Sequence, residues 1–296
     1  MGLFTKSSSA RRRTRRFDLD AAAKGEARGI ASVFRSDRLF DTLVAGLVTI
    51  FEIFLFTFRI ERLDESSFIA VAMIILSANI LFGLYLSLHH KDILRERRSL
   101  LLFHLVTVGA LALAKPVVAL DGPELLYPLG VFAIVLSVAY GQRLATFWTL
   151  VMACMVGLMR GLELFDTKDK AGFYLAREIG IDFPFALTLA CGALVVVFTL
   201  PKVTRRRKVI QAGFFAGVAY VIMIIATRFL LPGHDTLIGV IKEKPGELWQ
   251  LAFGFLNGIS TGYFMAEFGL RIVEELFDVV TDLRLQELAD LNQPIL

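Results

Sequence analysis

The four histidines are the first residues to question, because imidazole is both a common metal ligand and a proton carrier near neutral pH. They are His89, His90, His104 and His234. His89-His90-Lys91-Asp92 sets imidazole beside carboxylate, a pairing that metal-dependent hydrolases use. Such a centre needs separated ligands gathered by several elements, however, and this run is a short basic loop between two apolar stretches. His104 falls about one turn inside an apolar stretch, where a hydrogen-bonded imidazole is the simpler reading. His234 stands in a turn with Pro232 and Gly233. No metal-ligand spacing emerges. Cys154 and Cys191 lie within apolar stretches and read as small hydrophobes. No phosphate-cradling glycine loop, dinucleotide fingerprint or nucleophile elbow occurs, so no catalytic residue, metal or cofactor is assigned and the chain by itself is not read as an enzyme.

Buried polar groups are the remaining chemistry. Glu52, Asn79 and Asn257 each fall inside an apolar stretch. An acid or amide in lipid is costly, so each must face a partner or water. Glu52 fits an ion or proton site, and fits equally a neutral or paired carboxyl within a bundle. A transporter would show more than one such acid at mid-depth, which favours the structural reading. Asn79 reads as an interhelical hydrogen-bond donor, worth roughly 0.6 kcal/mol.

The elements that must hold these groups are membrane helices. The chain has 296 residues, is 56% hydrophobic and only 20% charged, with a mean hydropathy of +0.64. A soluble domain of this size rarely reads so apolar. The pI of about 9.1 would suit nucleic acid, but the basic residues lie in short runs beside apolar segments, as cytoplasmic flanks do. No nucleic-acid partner is expected; the lipid bilayer is. Residues 1–39 form a basic cytoplasmic arm, with Arg11, Arg12, Arg13, Arg15 and Arg16 nearly consecutive. The apolar core does not follow these charges directly, so they are no signal peptide.

Apolar segments at 40–60, 68–88, 100–118, 125–140, 144–162, 183–200, 208–230 and 248–270 predict an all-α, polytopic bundle of about eight spans, at ~20 residues each. The fourth is short and carries Pro128, so it reads as tilted, kinked or incompletely spanning. With both ends in the cytoplasm, the inner loops hold Lys91, Arg95, Arg97, Arg98, Arg143, Lys202, Arg205, Arg206, Arg207 and Lys208. The outer loops hold fewer basic residues and more acids, which supports this orientation in a cell inner membrane. Merging the fourth and fifth segments gives a seven-span alternative that scrambles the bias after residue 141. The membrane domain is thus 40–270, followed by a cytoplasmic connecting helix at 271–296.

Residues 249–296 organise the rest. Gly254, Gly258 and Gly262 recur every four residues and Ala266 continues the series, so one helix face lets another backbone approach closely. Gly213 and Gly217 repeat the spacing one segment earlier. The glycine face has two readings, close packing within one chain and a homodimer interface along the last span; the first is preferred. Glu267, Arg271, Glu274 and Asp278 then follow at spacings of four, three and four, one polar stripe on a helix that leaves the lipid.

The same stretch carries Leu256-Asn257-Gly258, Glu274 to Phe277, Thr281-Asp282-Leu283-Arg284, Glu287-Leu288, and Asp290-Leu291-Asn292 with Pro294. On these residues it resembles the end of the membrane region in seven-transmembrane receptors with an intracellular HD phosphohydrolase domain, which include cyclic di-AMP phosphodiesterases. Family members have a histidine where this chain has Gln293. They also carry an extracytoplasmic domain where this chain has only Glu61 to Ser67. The resemblance implies a module for signalling and anchoring, with Glu267, Arg271, Glu274, Asp278, Asp282 and Arg284 coupling the bundle to an HD phosphohydrolase in cis or in trans. The alternatives are a self-sufficient small-solute permease, and a scaffold that binds a separate hydrolase through 271–296.

Overall fold

The computed structural model describes residues 29–58, 65–119, 126–167, 182–200, 206–230 and 246–278. All regular structure among them is helical: α1 Gly29–Thr57, α2 Glu65–His89, α3 Lys91–Arg95, α4 Arg97–Ala119, α5 Leu129–Tyr140, α6 Gln142–Thr167, α7 Phe183–Thr199, α8 Arg206–Leu230, α9 Gly246–Phe264, a π-helical turn Met265–Gly269, and α10 Leu270–Phe277. The chain divides into two compact units, Met1–Val48 and Thr49–Leu296. The first contributes the beginning of α1; its helical backbone starts at Gly29, ten residues inside the stretch read as an arm. The packing below is that of the second.

Each predicted apolar segment coincides with a helix, but their lengths differ. Four among the described residues are long and apolar enough to cross a bilayer: Ser67–His89, Arg97–Val118, Gln142–Leu162 and Arg206–Thr227. Thr42–Thr57, Leu129–Tyr140 and Phe183–Thr199 are apolar but shorter. Large apolar side chains such as Leu84, Leu105, Phe215 and Ile222 are exposed on the outer faces, as a helix facing lipid requires.

α5 shows why a short helix suffices here. It is 12 residues long, about 18 Å at 1.5 Å per residue, against a hydrocarbon core of about 30 Å. It is wrapped by protein, packing on α4, α6, α7, α9, the π turn and α10. Because the helix packs on so many neighbours, its ends at Pro128 and Gly141 need not reach the bilayer surfaces. Around it, fully buried Trp148 of α6 donates its Nε1 proton to Thr107 Oγ1 of α4 at 3.0 Å, and Thr107 donates in turn to the Phe103 carbonyl.

The closest approach in the bundle is between α8 and α9. A Cβ built on Gly213 would lie 2.5 Å from Gly262 Cα and 2.6 Å from the Gly258 carbonyl oxygen. One on Gly258 would lie 2.7 Å from the Gly213 carbonyl oxygen and would overlap the Gly217 backbone. One on Gly217 would meet the Phe255 carbonyl at 2.8 Å, and one on Gly254 the Ile224 side chain at 2.8 Å. At Gly213 and Gly258 the nearest atoms are backbone, which cannot yield as a flexible side chain would. The glycine face of α9 is thus occupied by α8 of the same chain.

Gly258→Ala should destabilise the bundle by about 1–3 kcal/mol, the range for overpacking. Gly83 has open space around it, and Gly83→Ala should be neutral or stabilising by up to about 1 kcal/mol, from helix propensity. Thermal unfolding of both variants in one detergent checks the contrast in sign.

Candidate functional site

The site with most to do is the exit from α9. α9 does not run on as one regular helix. At Met265–Gly269 the backbone widens by a residue, and the Leu270 N–H donates to the Met265 carbonyl five residues back. Met265 is fully buried, and its side chain folds over Gly269, where a Cβ would meet Met265 Cε at 3.0 Å and crowd its sulfur. Ala266, Gly269, Leu270 and Val273 are buried.

The last turn of α10 is fastened to the ends of two other helices. Arg98 Nη2, at the start of α4, donates to the Leu276 carbonyl at 3.0 Å. A cation there complements the negative end of the helix dipole. The Phe277 ring stands edge-on to Tyr140 at 5.5 Å. Tyr140, the last residue of α5, donates its hydroxyl proton to the Ser99 carbonyl at 2.6 Å. The helix stops at Asp278, which takes the left-handed conformation (φ 55) and donates its N–H to the Glu274 carbonyl. Aspartate tolerates that conformation better than bulkier side chains.

This geometry corrects the reading of one polar stripe on a continuous helix. The extra residue offsets the phase by roughly 100° at 3.6 residues per turn. Glu274 is consequently buried, at 7% exposure, while Arg271 and Asp278 are exposed. Glu267 is half-buried and reaches Arg206 at the start of α8, 3.8 Å away, a solvated pair worth little by itself. The described helix α10 ends at Phe277; the rest of the connecting helix expected over 271–296 lies outside the described residues. Asp282 and Arg284 lie outside the described residues, as does His234.

The buried polar groups resolve into two clusters. Glu52 and Asn79 meet: Asn79 Nδ2 donates to Glu52 Oε2 at 2.6 Å and lies 3.1 Å from Thr49 Oγ1, tying α1 to α2. Asn257 Nδ2 donates to the Tyr127 carbonyl at 2.9 Å, and the Tyr127 hydroxyl donates to the Ala110 carbonyl of α4 at 3.0 Å. α9 is thereby tied through the residues before α5 to α4.

The described residues do not fit a hydrolytic metal: no three His, Cys, Asp or Glu side chains among them converge. His89 stacks on Tyr85 at 4.8 Å, and His104 lies edge-on to Phe103. Burial, then the neighbouring His89 and Arg143, hold His90 below the ordinary imidazole value, with Asp92 opposing.

Two further features escape the sequence reading. Lys115 is buried in α4 just before Pro116; a cation inside an apolar run is the signal that marks it. Arg160 pairs with Asp182 at 2.8 Å and lies 4.6 Å from the Phe185 ring, while Asp182 also caps α7 by accepting the Phe185 N–H. An acid at the first residue before an apolar segment, with Pro184 just inside it, is a recognisable helix start.

A double-mutant cycle on Glu52→Ala and Asn79→Ala should return a coupling of about 0.6–1.7 kcal/mol, the range of hydrogen bonds between membrane helices. Unfolding of the two single variants and the double variant in mixed micelles measures it, and additive effects would contradict the pairing.

Comparison with known proteins bears on this architecture directly. No curated protein and no solved structure matches the chain. The family model described as 7TM receptor with intracellular HD hydrolase matches residues 66–281, from the start of α2 to just past the exit of α10. A membrane protein built of apolar helices and matched over most of its length by that model, the chain belongs to the family of 7TM receptors with intracellular HD hydrolase.

Proposed function

We propose that this chain is a transmembrane signalling and anchoring module that controls a cytoplasmic HD phosphohydrolase acting on cyclic di-AMP. The observation that carries the proposal is the fastening of the α10 end to α4 and α5 by Arg98 and Tyr140. An element meant only to anchor would not need its last turn held by two other helices. In this reading the bundle spans the inner membrane about eight times with both ends in the cytoplasm, following the excess of basic residues on that side. Rearrangement of α4, α5 and α8 then reaches the hydrolase through Glu267, Arg271, Glu274 and Asp278, and a ligand acts by favouring one of two bundle states. The metal and the hydrolytic chemistry belong to the HD domain, supplied in cis or in trans. Residues 1–296 supply position, not catalysis.

Three results test this. Purified 1–296 protein given cyclic di-AMP and manganese should release no product; turnover would contradict the division of labour. Arg98→Ala in native membranes should change basal cyclic di-AMP hydrolysis at unchanged abundance of the protein; an unchanged rate would remove the coupling role of the exit. An antibody against the N-terminal arm separates the two arrangements. A band well above 32.9 kDa means an HD domain in cis, and a band at that mass means one in trans.

A further inference from the structure

The π turn and the polar stripe, taken together, describe two registers of one helix. In the observed register Leu270 and Val273 are buried, Phe277 rests on Tyr140, and Glu274 is carried into the bundle with them. The sequence, however, spaces Glu267, Arg271, Glu274 and Asp278 for an uninterrupted α-helix, in which all four share one face. These registers are incompatible. Relative to Gly254, at 100° per residue, Gly258 and Gly262 of an uninterrupted helix stand at roughly 40° and 80°, and Val273, Phe277 and Leu270 at roughly 100°, 140° and 160°. The apolar face of α10 would have drifted off the glycine face. The extra residue of the π turn returns it by roughly a quarter turn.

We propose that Met265–Gly269 is a rotary switch: conversion of this π turn to α-helix turns α10 by about a quarter turn, undocks Leu270, Val273 and Phe277, and brings Glu274 out to complete the polar stripe. Each register has compensations. The observed one buries apolar side chains, with Glu274 beside them, and keeps the Arg98 bond to the Leu276 carbonyl. The α register carries Glu274 to the solvent side and spaces Glu267 to pair with Arg271 at i, i+4 instead of with Arg206. Gly269 gives Met265 room to follow, since only the flexible end of that side chain lies against it. The functional use of this switch rests on the reading of the exit as a coupling element; its existence does not.

The test is double electron–electron resonance on the full 296-residue chain in lipid nanodiscs, with Cys154 and Cys191 replaced and spin labels at exposed Glu275 and Lys91. Val273→Gln with Phe277→Gln removes the apolar anchors and should populate a second, discrete distance. Its separation from the first should be up to about 8 Å, a quarter turn on a helix roughly 10–12 Å across. Glu274→Leu should sharpen the original distance. Deleting Phe268, an exposed residue of the π turn, removes the extra residue while keeping the apolar face inward, and should abolish the second distance in the Gln variant. Overturning results are an unchanged distance in the Gln variant, a featureless broadening with no discrete second distance, or a second distance that survives the deletion. If rotation is observed while hydrolysis of cyclic di-AMP by the whole system ignores it, the coupling reading fails and the switch stands.

Discussion

The bundle depends on how closely α8 and α9 approach. Hydrocarbon offers no hydrophobic force to press two membrane helices together, so association rests on dispersion and on complementary backbone shape. Gly213 and Gly217 on one helix, and Gly258 and Gly262 on the other, bring carbonyl oxygens and Cα atoms against each other. The contact fixes the height and rotation of α9. Whatever follows α9 inherits that position, which is why a stiff backbone-to-backbone contact sits immediately before the exit.

From that origin the exit is built by adjustment. An α-helix carries its glycine face around by about 40° every four residues. Over the four turns from Gly254 to Leu270 this would swing the apolar side of α10 away from α5. One extra residue at Met265–Gly269 absorbs the drift, and Arg98 and Tyr140 hold the corrected end. Glu274 is taken inside with that face. The bundle holds other polar groups by pairing across helices: Glu52 with Asn79, Asn257 with the Tyr127 carbonyl, Trp148 with Thr107, and Arg160 with Asp182.

What could be read from the chain follows the range of each interaction. The helices were legible because apolar runs of sufficient length have few other structures open to them, and the shortness of α5 was legible from Pro128 and the length of its run. Glycine spacing announced a close contact, since few other reasons place Gly at every fourth position of a helix. The partner of that contact required the fold. Glu52 and Asn79 could each be recognised as needing a partner, but not that they would serve one another across two helices. The π turn was invisible for a sharper reason. Its local spacing is that of an ordinary α-helix, and what bends the register is docking of Leu276 and Phe277 onto residues well over a hundred positions earlier, a tertiary effect that overrides local pattern.

The central claim is that the α8–α9 backbone contact sets the position of the exit helix. The most direct measurement is hydrogen–deuterium exchange of the Leu270–Phe277 amides in Gly258→Ala, with Gly83→Ala as the comparison, both in lipid. The account predicts faster exchange across Leu270–Phe277 in Gly258→Ala, although that glycine lies about three turns before α10, and no change in Gly83→Ala. Exchange in Leu270–Phe277 that stays at the wild-type rate while α9 itself loosens would contradict it, since the exit would then hold its place without the contact that is supposed to set it.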